Sequence, residues 1–232
     1  IFTDILNNAY KVYFRDAESL SYCSDILGFK DGDIGVDCVF GIEWKSNAEP
    51  EKNLLLNMAS VFSKKWPYQS EIKFQKYVQA VSNTIICLME EKNLNTLVIY
   101  NTNYPTDEEA VLELLKLFKN VDFDIDYVKG RLQVYDLLNL CSKSELALVT
   151  RLHAGLIAFI AECEIMAIAY QPKVKDVLAN IGITKNVIDI TEFIQEQKVF
   201  NIEGSKNGYM LTSVLKSKLD KNVSTVLGYS TS

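Results

Sequence analysis

The sequence predicts an α/β protein built on a parallel sheet. Three observations carry that expectation. From Leu54 to Ile190, short runs of strand length alternate regularly with amphipathic helical segments. Those runs are apolar throughout, as strands covered on both faces are, and not alternately polar and apolar. Hydrophobic residues make up 48% of the 232, enough for a sizeable core.

Residues 1–9 pattern as the end of a helix and residues 11–14 as a short strand. Residues 17–27 read as a helix with apolar Leu20, Cys23, Ile26 and Leu27, closed by Gly28. Asp31-Gly32-Asp33 reads as a turn, and residues 34–40 as a short strand carrying Asp37. The polar, charge-balanced stretch 45–53 is broken by Pro50 and reads as a linker.

Beyond it, strands are expected at 54–59, 96–100, 123–128, 146–149, 165–169 and 187–190. Helices are expected at 70–91, 106–119, 134–141, 151–162 and 174–181. Thr106-Asp107-Glu108-Glu109 has the capping-box pattern at one helix start. A lysine-rich helix at 210–219 and a frayed end from Thr225 complete the chain. The organisation expected is 1–45, a linker at 46–53, an α/β domain at 54–205, and a helix with a tail at 206–232. A chain that opens on Ile1 in a helical pattern is expected to be part of a longer one.

Lys+Arg 24 against Asp+Glu 30 gives a net charge of -6. No overall basic field exists to hold nucleic acid, so an anionic ligand must be held by a few placed cations. Five cysteines without a C-x-x-C pair read as reduced thiols in a cytoplasmic protein. Neither a membrane-spanning run nor a signal-peptide core is visible.

Two strand-to-helix corners stand out. In 146–158 an apolar strand ends at Val149, Thr150 is placed to cap a helix, and Arg151 and His153 fall in its first turn. There the unpaired backbone N–H groups and the helix dipole favour an anion, and His153 is the single histidine of the chain. The alternative is that Arg151 pairs with an acid and His153 packs at the helix start. One β-α unit later a strand delivers Tyr170, Pro172 stiffens the turn, and Lys173 begins a helix. If consecutive strands are neighbours, Lys173 and His153 face one pocket. Taken alone, Lys173 is a solvated lysine.

Other motifs are weaker. Asp122, Asp124 and Asp126 alternate with Phe123, Ile125 and Tyr127. That pattern suits a half-exposed edge strand better than a metal site. Neither a G-x-G-x-x-G, a P-loop nor a G-x-S-x-G elbow occurs.

Arg151-Leu152-His153-Ala154 followed by Tyr170-Gln171-Pro172-Lys173, and preceded by Arg15-Asp16-x-x-Ser19 and Val36-Asp37, resembles the polysaccharide pyruvyl transferase family. The family shows R-D-x-x-S, an aspartate on a short strand, R-L-H-A and Y-D-P-K in that order. Gln171 departs from the pattern where the family has aspartate, and Thr150 where it often has a small residue. Residues 1–45 resemble only the last part of the family's N-terminal Rossmann-like domain.

The resemblance implies a Rossmann-like C-terminal domain, the second half of a two-domain architecture of the glycosyltransferase-B type. It implies transfer of the pyruvyl group of phosphoenolpyruvate to two sugar hydroxyls of a polysaccharide or its precursor, forming a ketal and releasing phosphate. Arg15, Arg151 and Lys173 would hold the donor, with His153 and Lys173 catalytic and Asp16, Ser19, Asp37 and Tyr170 in support. No metal and no cofactor are implied, phosphoenolpyruvate being the donor substrate. The acceptor would be a glycan or a lipid-linked sugar of wall or exopolysaccharide synthesis, met in the cytoplasm or at the inner face of the membrane. Lys206, Lys216, Lys218 and Lys221 would suit such a surface, although a solvated helix face explains them more simply. Two other functions fit the same outline: a nucleotide-sugar glycosyltransferase of similar fold, and a catalytically incomplete glycan-binding relative.

Overall fold

The computed structural model describes residues 2–46, 48–184, 186–196 and 208–227. They form two compact units. One holds the described residues of Ile1–Glu43 and Asn207–Ser232, the other those of Trp44–Lys206.

In the first unit, helix α1 (Phe2–Asn8) precedes strand β1 (Val12–Phe14), helix α2 (Ala17–Leu27) and strand β2 (Gly32–Ile34). The two strands pair in parallel, Val12 opposite Gly32 and Phe14 opposite Ile34. Leu6, Cys23 and Phe29 form the buried centre, with Val12, Phe14 and Leu27 packed on it. Asp16 caps α2 by accepting from the Ser19 N–H at 2.7 Å. Gly28 ends α2 in the left-handed conformation that glycine adopts without steric cost.

The segment after α2 departs from expectation. Gly32 and Asp33 lie in the strand instead of a turn, and residues 35–40 do not belong to a strand. Asp37 accepts from the Val39 N–H at 3.1 Å and so starts a short 3-10 helix, Cys38–Gly41. A carboxylate that bonds the backbone two residues on competes with a strand ladder and wins here.

The second unit is a six-stranded parallel sheet. Its elements run β3 (Glu51–Asn57), α3 (Glu71–Glu91), β4 (Thr96–Tyr100), α4 (Glu108–Leu117), β5 (Asp124–Val128), α5 (Val134–Ser142), β6 (Ser144–Val149), α6 (Leu152–Ile160), β7 (Glu164–Ala169), α7 (Pro172–Asn180), β8 (Val187–Asp189) and α8 (Ile190–Glu196). The strand order is β5-β4-β3-β6-β7-β8. The sheet thus grows outward from β3 in one direction and then reverses to the other side at β6, the doubly wound pattern.

β3 begins three residues earlier than expected, inside the presumed linker, because the Glu51 N–H reaches the Lys143 carbonyl at 2.8 Å. Leu54, Leu55 and Leu56 are buried whichever face they point to, which is why their run is apolar without alternation. One face packs Leu54, Leu56, Leu97, Ile99 and Leu148 against α3, α4 and α8. Helices α5, α6 and α7 pack together on the other. β5 is an edge strand, and Asp124 and Asp126 are exposed on it while Ile125 and Tyr127 are half-buried. The last short helix, α8, was not anticipated; Asp189 accepts from the Thr191 N–H at 2.7 Å and turns the end of β8 into a helix start.

Near the C-terminus, α9 (Gly208–Leu227) returns to the first unit. It is longer than the predicted 210–219 and includes Thr225, expected to be frayed. A Cβ on Gly41 would lie 3.2 Å from Leu219 Cδ2, so a small residue allows this helix its close approach. Lys216 pairs with Glu43 at 2.6 Å, while Lys218 and Lys221 are exposed; Lys206 lies outside the described residues. No helix among the described residues is long and apolar enough to cross a membrane.

Burial has a consequence for alkaline stability. It pushes the Cys141 thiol up to about 12 and raises Cys163, Tyr77 and Tyr100 as well. Each group keeps its proton in the folded chain at a pH where the unfolded chain has lost it. Folding stability is therefore expected to fall as pH rises from about 9, by up to about 1.4 kcal/mol per pH unit for each such group. Urea unfolding at pH 8, 9.5 and 11 measures this. At pH 8 exposed Cys38 is expected to react with a thiol reagent in the native state, and buried Cys141 and Cys163 only after unfolding.

Candidate functional site

The reversal point of the strand order lies between β3 and β6, and the crevice at the carboxyl ends of such strands is where open α/β sheets bind ligands. Three chain segments meet there. After β3 comes the loop 58–70; after β4 comes the start of α4; after β6 comes Thr150-Arg151.

Thr150 is not the cap of α6. It is buried, its hydroxyl accepts from the Ala59 N–H at 2.6 Å and donates to the Asn57 carbonyl at 3.2 Å, and so ties the end of β6 to the loop after β3. Arg151 takes the cap position in an extended conformation, without a side-chain cap bond. The first-turn donors of α6 are therefore left uncapped by any side chain of the N-cap residue.

The guanidinium of Arg151 is held from two sides. Nε and Nη2 donate to Asp107 Oδ2 and Oδ1 at 2.9 and 2.6 Å, and Nη1 donates to the Tyr170 hydroxyl at 3.1 Å. Tyr170 in turn meets Trp66 edge to face, ring centroids 5.3 Å apart. Asp107 is fully buried, and its Oδ1 also accepts from the Ser60 N–H at 3.1 Å. Burial alone would lower the Arg151 pKa, but the bonds to Asp107 and Tyr170 outweigh it and hold it above the ordinary value.

The expected capping box at 106–109 does not form. Asp107 occupies the cap position of α4 with near-helical angles, and its side chain makes no cap bond to that helix. Ser60 Oγ caps α4 instead, accepting from the Ala110 N–H at 3.1 Å, while Asp107 accepts from the Ser60 N–H. The reciprocal bonding of a capping box is thus made between two loops.

His153 is the second residue of α6 and is exposed; Lys173 is the second residue of α7, after Pro172, and is exposed too. β6 and β7 are adjacent, Val149 opposite Ala167. The two helices that carry His153 and Lys173 therefore start from neighbouring strand ends. Gln171 is the cap residue of α7, and its side chain makes no cap hydrogen bond. Gln171→Asp is expected to stabilise the chain by about 0.5–1 kcal/mol, because an aspartate there reaches the N–H groups of the first turn. Thermal unfolding of the two proteins measures it.

In the first unit, Arg15 follows β1 as Arg151 follows β6. Its Nη1 donates to Asp37 Oδ2 at 2.8 Å, with Asp16 Oδ2 4.0 Å from Nε. Asp37 and Asp16 are buried. Ser19 contributes its backbone N–H to the Asp16 cap. The two units thus each hold a strand-end arginine on a buried aspartate.

Of the site residues singled out from the sequence, the structure joins Arg151 to Tyr170; Asp107, Ser60 and Trp66, which belong to the same network, were not among them. Asp107 carried a signal, an acid at a helix start, but that signal pointed to a cap.

A doubly wound parallel sheet defines a Rossmann-like domain, and solved structures share that fold. An α,α-trehalose 6-phosphate synthase from Burkholderia multivorans superposes with a TM-score of 0.56 at 10% identity, covering 93% of this chain and 57% of that one. The S. aureus MnaA–UDP structure gives 0.52 at 12% identity, covering 98% and 62%. S. aureus TarM in complex with fondaparinux, α-GlcNAc-glycerol and UDP gives 0.50 at 12%, covering 97% and 44%. The chain spans less than two thirds of the length of each. No curated protein matches the sequence. The family model for polysaccharide pyruvyl transferase matches residues 1–172, and the chain belongs to that family.

Proposed function

We propose that this chain takes part in transferring the pyruvyl group of phosphoenolpyruvate to two hydroxyls of a glycan. The observation that carries the proposal is the family match, whose span includes Arg151 and His153 at the point where the strand order reverses.

The chemistry balances as follows. A proton is added to C3 of phosphoenolpyruvate, which becomes a methyl group, and C2 becomes electron-deficient. One sugar hydroxyl attacks C2, the C–O bond to phosphate breaks, and the second hydroxyl closes the ketal. Of the two hydroxyl protons, one replaces that consumed at C3 and the other leaves with phosphate.

His153, an exposed imidazole at a helix start, is suited to deliver and accept those protons. Lys173 is suited to neutralise the leaving phosphate. The terminal N–H groups of Arg151 are suited to a carboxylate or phosphate oxygen. Arg15 would share in holding the donor, with Asp16, Ser19 and Asp37 fixing its position. The acceptor is a glycan, soluble or lipid-linked, and the setting is the cytoplasm or the inner face of the membrane. No metal or cofactor enters this scheme.

A second reading, a glycosyltransferase using a nucleotide sugar, draws on the UDP carried by two structures of similar fold. Calorimetric titration separates the two. Saturable binding of phosphoenolpyruvate with none of UDP supports the pyruvyl transfer; binding of UDP alone overturns it.

A further inference from the structure

We infer that Asp107 is a positioning residue that fixes which edge of Arg151 faces the donor, an inference that rests on the pyruvyl-transfer reading of the same site. A guanidinium has five N–H groups in a rigid plane. Asp107 takes the Nε–H and one N–H of Nη2, and the Tyr170 hydroxyl takes one N–H of Nη1. One N–H remains on each terminal nitrogen, and each can donate to an oxygen of a carboxylate or phosphate group.

The aspartate is itself held in place. It is 0% exposed, and Oδ1 is fixed by the Ser60 N–H, whose own hydroxyl caps α4. Tyr170 is braced from behind by Trp66. The guanidinium is therefore clamped by groups that come from the carboxyl ends of β3, β4 and β7, while the arginine itself comes from β6. An exposed arginine on a flexible stem would have to be ordered by the ligand; this one is ordered beforehand, which lowers the entropic cost of binding. The pairing also offsets the charge of Arg151, so the direction of its remaining N–H groups is what it offers. The same device recurs in the first unit, where Asp37, fixed by the Val39 N–H, holds Arg15.

The test uses the whole chain and phosphoenolpyruvate as probe, with binding measured calorimetrically and folding by circular dichroism. Asp107→Asn is expected to weaken binding about tenfold or more while the chain stays folded, and Tyr170→Phe several-fold. Should Asp107→Asn fail to fold, Asp107→Glu decides, because it keeps a carboxylate to pair with Arg151 and moves it by one methylene; binding about tenfold weaker is expected there too. Wild-type affinity in both Asp107→Asn and Tyr170→Phe, or in Asp107→Glu, overturns the inference. Absence of phosphoenolpyruvate binding by the wild-type chain overturns the pyruvyl-transfer reading itself.

Discussion

Arg151→Ala is expected to lower the free energy of unfolding by about 3–5 kcal/mol, an effect large enough to unfold many domains of this size. The reason lies on the other side of the pair. Asp107 is fully buried, and two of the three hydrogen bonds it accepts come from Arg151. Without them a carboxylate is left in the interior with one backbone N–H for a partner, and an uncompensated buried charge is among the costliest defects a fold can carry.

The opposite deletion is expected to cost less. Asp107→Asn keeps an acceptor for the Ser60 N–H and leaves Arg151, whose side chain is 20% exposed, with access to water. The order of destabilisation is therefore Arg151→Ala above Asp107→Asn, and the double variant is expected to be more stable than the sum of the two losses. Urea unfolding of the four proteins reads the coupling directly. A loss below about 1 kcal/mol for Arg151→Ala would place the pair among ordinary surface ion pairs.

His153→Ala is expected to behave in the opposite way. The residue is exposed at the start of α6, so its removal is expected to cost much less stability than that of Arg151. Phosphate release from phosphoenolpyruvate in the presence of acceptor is expected to fall by a factor of about 10²–10⁴, the range for loss of a general acid or base. The imidazole is the single one in the chain, so no other histidine can substitute for it. Steady-state release measured against acceptor concentration checks the effect. An unchanged rate would remove His153 from the chemistry while leaving the fold assignment untouched.

Most of the sheet could be read from the sequence because its strands announce themselves. Runs such as Leu54-Leu55-Leu56 and Ala167-Ile168-Ala169 are apolar at every position, and only a strand buried on both faces tolerates that between polar helices. The strand-to-helix corners were legible for a related reason. Arg151, His153 and Lys173 stand shortly after strand ends, where position in the chain translates into position in space.

Asp107 could not be found that way. It lies 44 residues from Arg151 on a different β-α unit, and only the assembled strand order β4-β3-β6 brings the two together. Thr150 and Thr106 misled for a local reason. Each has the chemistry of a cap, but Thr150 spends its hydroxyl on the loop after β3, and the capping of α4 passes to Ser60 from another loop. Tertiary bonds of that kind override the local pattern without leaving a trace in it. Residues 35–40 failed similarly, since the apolar run conceals that Asp37 bonds its own backbone.

The single histidine offers the most direct test of phosphoenolpyruvate recognition at this corner. With one imidazole in 232 residues, its proton–nitrogen correlation spectrum contains one set of ring signals, free of overlap and of assignment. Titration of the whole chain with phosphoenolpyruvate is predicted to shift those signals along a saturable curve, and titration with UDP to leave them in place. Ring signals that do not move at saturating phosphoenolpyruvate would contradict the account.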